Sequence, residues 1–176
     1  MYTCSALSLA AYADLREGGN STSSDINLSA LQSAGMTQTQ AIMFAEDWPE
    51  IVNIFIDSNS GLAVTVFGKT NANGDLIETA IAIRGTDTDN FLDFSKDVAD
   101  DIVLGTGLIP DQFEALTDYY DSLIVNGDID LSIPTSISGH SLGGYLAQLM
   151  GAFYPNDFDA IYSYKLGSMS SKGVRF

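Results

Sequence analysis

The chain has 176 residues, 45% of them hydrophobic, and carries 7 Lys plus Arg against 23 Asp plus Glu, a formal net charge of −16. Such a length and apolar content suit one globular domain spanning 1–176, burying about 68–70% of its extended surface. The charge opposes long-range attraction to nucleic acid or to an anionic membrane, and the single Cys4 with the single His140 excludes an internal disulfide and a zinc pattern.

The opening stretch, MYTCSALSLAAYADLRE, has Ala6, Leu7, Ala10, Ala11, Ala13 and Leu15 at helical spacing. It has no basic leader region and no small-residue cleavage site, and no run in the chain reaches the ~18 apolar residues of a membrane span. The loop GGNSTSSD follows, and then a helical region from Leu28 to Trp48, broken near Gly35 and stopped by Pro49.

The period then changes. EIVNIFID, GLAVTVFGK and LIETAIAIRG are β-branched runs, the last two separated by a loop whose Asn73-Gly74 is a hairpin signal, so an antiparallel meander ending at Arg84-Gly85 is expected. Residues 90–104 and 110–124 read as helices, the second with Pro110 near its first turn. A short strand PTSISGH, a helix with Leu142, Leu146, Leu149, Met150 and Phe153 along one stripe and small Gly143, Gly144 and Ala147 allowing close packing at its start, and a last strand AIYSYKLG complete the pattern. Together these predict an α/β fold whose mixed sheet begins as a meander and continues with parallel strands.

Gly139-His140-Ser141-Leu142-Gly143 is a weak signal as a bare pentapeptide, but it sits where a strand meets an amphipathic helix, the setting of a nucleophile elbow. That turn presents the serine hydroxyl above the sheet and brings the residues two before and two after so close that a side chain on either would collide, hence Gly139 and Gly143. Ser141 is therefore the candidate nucleophile, and the Leu142 N–H, at the helix N-terminus, a candidate oxyanion donor. A second donor is expected from elsewhere, and AIAIRGTD offers Thr86 at a strand end, a helix-capping threonine being its other reading. His140 cannot serve as the base, because adjacent side chains on a strand leave on opposite faces.

Taken together, IAIRGTD and, some fifty residues later, SGHSLGGYLAQL resemble the class 3 lipase family, α/β-hydrolases that include fungal triacylglycerol lipases and bacterial relatives. The resemblance runs from the meander through residue 167. It implies an α/β-hydrolase-like sheet, a serine carboxylic-ester hydrolase acting on lipid acyl esters of triacylglycerol or phospholipid type, and Ser141 as nucleophile. It further implies that Thr86 and Leu142 form the oxyanion hole, that His140 packs rather than reacts, and that the protein is secreted.

The family's catalytic Asp and His follow the serine in that order, and nothing here fits the histidine; Asp157 and Asp159 fall in a short loop where relatives keep a surface connection. The tail KLGSMSSKGVRF replaces the usual continuation. The expectation is a partial domain, C-terminally incomplete, with an inactive fragment or an α/β-hydrolase-like binding module as the alternative. The partners expected are a lipid or ester substrate and a lipid surface, with no nucleic acid and no stable membrane span.

Two features keep two readings each. The cluster Asp87, Asp89, Asp93, Asp97, Asp100 and Asp101 either caps and coats a helix or holds calcium; with no EF-hand spacing, no metal or other cofactor is assigned. The helix bearing Phe91, Leu92, Phe94, Val98 and Ile102 either packs in the core or forms a lid over the acyl site.

Overall fold

The three β-branched runs pair as an antiparallel meander. In the computed structural model, which describes residues 3–15, 26–85 and 111–164, β1 (Glu50–Ile56), β2 (Ala63–Thr70) and β3 (Leu76–Ile83) are neighbours in that order. Parallel strands β4 (Thr135–His140) and β5 (Ala160–Tyr164) extend the sheet on the β3 side, giving a five-stranded mixed sheet in sequence order. The β2–β3 connection turns at Gly74, whose φ of 87° is the left-handed conformation that the Asn-Gly pair supplies.

Helices cover both faces. Leu62, Val64, Val66, Ile81, Ile83 and Ile137 pack against α4 (Asp111–Asn126) and α5 (Leu142–Phe153). The other face carries Phe67, Ala80 and Ala82 against α1 (Thr3–Ala10), α2 (Leu28–Ser33) and α3 (Gln38–Asp47). The period-2 alternation of β3 explains the asymmetry: isoleucines project to one side and alanines to the other. With Ser136 and Ser138 beside those alanines on β4, α1 can lie close to the sheet centre, and Leu7 and Ala10 are fully covered there.

The predicted break near Gly35 separates α2 from α3. Thr37 caps α3 through the Gln40 N–H, and the Gln40 side chain returns to the Thr37 N–H, a reciprocal capping box. The first helix is shorter than its apolar spacing predicts, because the chain turns at Ala11–Ala13, with Tyr12 N–H donating to Leu9 O.

The apolar stripe expected on α5 holds except at its end. Leu146 and Met150 are buried with the small Gly143, Gly144 and Ala147, and Leu142 and Leu149 are partly covered, whereas Phe153 is 59% exposed, its ring edge-on to Phe113 at 4.9 Å between centres. Close approach to the sheet selects the small residues. Thr86, the Asp87–Asp101 cluster, the 90–104 segment and the tail from Lys165 lie outside the described residues.

Candidate active site

β4 ends at His140 and α5 starts at Leu142, so Ser141 alone makes the turn between them. Its backbone has φ 56° and ψ −122°, and it is the only non-glycine residue with positive φ among the described residues. A side chain in that conformation costs about 1–3 kcal/mol. Neighbouring structure holds the residue there from both sides: Ser141 N–H donates to Tyr164 O of β5 at 2.7 Å, and Ser141 O accepts the first helical bond from Tyr145 N–H at 3.1 Å.

Serine at this position of a helix ordinarily turns its hydroxyl onto the free N–H groups of the first turn. Here the positive φ takes the side chain elsewhere, and Ser141 makes no capping bond. Leu142 N–H, as the first residue of the helix, has no acceptor within the helix. Ser141, partly buried, thus stands at a helix N-terminus, where the helix dipole favours negative charge.

Glycines make the turn fit. A Cβ on Gly139 would collide with the Gly143 carbonyl group, and one on Gly143 would sit 2.5 Å from Ile83 O and 3.1 Å from the Arg84 carbonyl. On Gly144 it would lie 2.6 Å from Ser163 Oγ. The turn is thus wedged against the end of β3, the strand leading to Arg84-Gly85. Thr86 follows directly, outside the described residues.

His140 shares the parity of Ser136 and Ser138 and points to the α1 side of the sheet, where its Nδ1 is 3.1 Å from the Tyr12 hydroxyl and the two rings meet edge-on at 6.0 Å. Burial holds its imidazole below the ordinary value of 6.5. Because the folded form resists protonation, the unfolded chain binds the proton first as pH falls below 6.5, so this group's contribution to stability is lost toward the lower folded value. Chemical denaturation between about pH 6.5 and 5 should show a midpoint falling with pH, and His140→Gln should flatten that slope. An unchanged slope would refute the assignment.

The two aspartates after the serine have structural partners. Asp157 accepts from the Tyr120 hydroxyl at 3.0 Å, and burial together with that bond raises the Tyr120 phenol above its usual range. Asp159 accepts from Thr135 N–H at 2.9 Å, pinning the start of β4. Among the described residues no three His, Cys, Asp or Glu side chains come together as metal ligands, and no helix is long and apolar enough to cross a membrane.

Tyr12 and Gly85 were not legible as site residues. A Cβ on Gly85 would lie 2.7 Å from the Tyr12 hydroxyl and run into His140 O, so the end of the first helical segment, the end of β3 and the residue before the serine meet at one point. A tyrosine among the alanines of the first helix was the only hint.

No family model matches the chain, and no curated protein sequence matches it. Among solved structures it is similar to the extracellular lipase LipA from Serratia marcescens, with TM-score 0.36 and 22% identity over 71% of this chain. The match spans 22% of that lipase.

Proposed function

We propose that these residues form part of a carboxylic-ester hydrolase of lipase or phospholipase type, on a single, partial α/β-hydrolase-like domain related to the class 3 lipases. Ser141 attacks the acyl carbonyl, and Leu142 N–H and Thr86 N–H hold the oxyanion of the tetrahedral intermediate. Collapse of that intermediate expels the alcohol and leaves an acyl-serine, which water hydrolyses. In this reading Gly139 and Gly143 are the structural glycines of a nucleophile elbow, the substrate is a lipid ester met at a lipid surface, and the protein is secreted. The observation that carries it is a serine held at φ 56° at a helix N-terminus with its hydroxyl kept off the capping role.

A base must take the proton from Ser141, and the sequence's one histidine is bound to Tyr12 on the other face. The triad Asp and His would come from residues other than these 176. That same fact favours the second reading, a hydrolase-like module that binds an ester or a partner without turnover. Incubation with a fluorophosphonate followed by peptide mapping separates the two. Capture at Ser141, lost in Ser141→Ala, is the result expected of a nucleophile; an unlabelled, well-folded chain would leave the binding module.

A further inference from the structure

We propose that Tyr12 is a positioning residue for the Ser141 site: its hydroxyl is hydrogen-bonded to His140 Nδ1 and bears on Gly85, tying the turn after α1 to the two strand ends that flank the serine. The inference rests on the reading of Ser141 as a nucleophile. Three contacts carry it. The Tyr12 hydroxyl is 3.1 Å from His140 Nδ1, the rings meet edge-on, and the same hydroxyl occupies the space that a Cβ on Gly85 would need.

His140 and Gly85 are not arbitrary anchor points. The His140 carbonyl belongs to the peptide plane about which Ser141 takes its positive φ, and it packs directly on Gly85. The seating of the serine turn on the end of the β3 segment depends on how His140 and Gly85 are held together. Tyr12 closes this contact from the α1 side.

Burial disfavours the charged form of His140, and the Tyr12 hydroxyl engages one of its two ring nitrogens. Because His140 is the only histidine in the sequence, its two ring nitrogens can be observed without assignment to competing residues.

The test uses the full chain and Tyr12→Phe, which keeps the ring and removes the hydroxyl. Fluorophosphonate capture at Ser141 should slow about tenfold with the apparent affinity for the probe unchanged, as expected when a reacting group is displaced slightly. The ¹⁵N shift of His140 Nδ1 should move as its hydrogen bond to the Tyr12 hydroxyl is lost. His140→Leu breaks the same bond from the other side and should lose about as much, with the double variant losing no more than either single one. Equal capture rates in the parent and Tyr12→Phe, an unmoved ¹⁵N spectrum, or additive losses in the double variant would each overturn the positioning role while leaving Ser141 a nucleophile. Absence of capture in the folded parent would overturn the nucleophile itself, and the positioning role would fall with it.

Discussion

Ser141→Gly is expected to make the chain more stable by about 1–2 kcal/mol and, at the same time, inert to a fluorophosphonate. The backbone angles of Ser141, φ 56° and ψ −122°, are those of the first central residue of a type II′ turn, which glycine adopts without a Cβ clash. Relieving strain of about 1–3 kcal/mol outweighs the roughly 0.5–1 kcal/mol that glycine's greater freedom costs in the unfolded chain. No capping bond is lost, because Ser141 makes none. Ser141→Ala should lose labelling equally but keep the strain, so its denaturation midpoint should stay near the parent's. A less stable Ser141→Gly, judged by urea unfolding, would mean that the turn is not strained. Strain relieved by deleting a side chain that makes no capping bond is the result expected if Ser141 is the proposed nucleophile.

The second large effect concerns the wedge. Gly143→Ala is expected to destabilise the chain by about 3 kcal/mol and to slow any capture at Ser141, since its Cβ would meet the carbonyls of Ile83 and Arg84, backbone atoms that cannot rotate aside. Gly139→Ala should behave alike, because it collides with the Gly143 carbonyl. Gly151→Ala, farther along α5, provides the contrast. There the obstructing atoms belong to the Ile161 side chain, which can change rotamer, and alanine is the better helix former by about 1 kcal/mol. Its unfolding midpoint should lie within about 1 kcal/mol of the parent. If Gly143→Ala and Gly151→Ala proved equally mild, the close packing of the turn on β3 would be refuted.

Much of the fold follows from local pattern. The β-branched runs with Asn73-Gly74 between two of them specify a meander, and Gly35 and Pro49 bound the helices before it, because periodicity and turn chemistry are properties of neighbouring residues. The strand-turn-helix around Ser141 is legible for the same reason. The exposure of Phe153 was not: it belongs to the hydrophobic stripe of α5, yet the helix buries Leu146 and Met150 with the small Gly143, Gly144 and Ala147 and leaves Phe153 outside. How closely a helix approaches depends on what it meets, and the isoleucines and strand-end carbonyls that face α5 are not encoded in the helix.

By itself the sequence determined the order of elements, the mixed sheet and the serine at a strand-to-helix turn, all consequences of short-range spacing. It also determined that His140 would leave the strand on the face away from Ser141, since alternation along a strand needs no partner to be known. Only the tertiary structure decided what His140 binds, why Gly85 must be glycine, and that the Ser141 hydroxyl is kept off its capping role. Those depend on residues separated by up to 128 positions being packed to within hydrogen-bond distance. Such contacts arise from the stacking of layers, which no local pattern specifies.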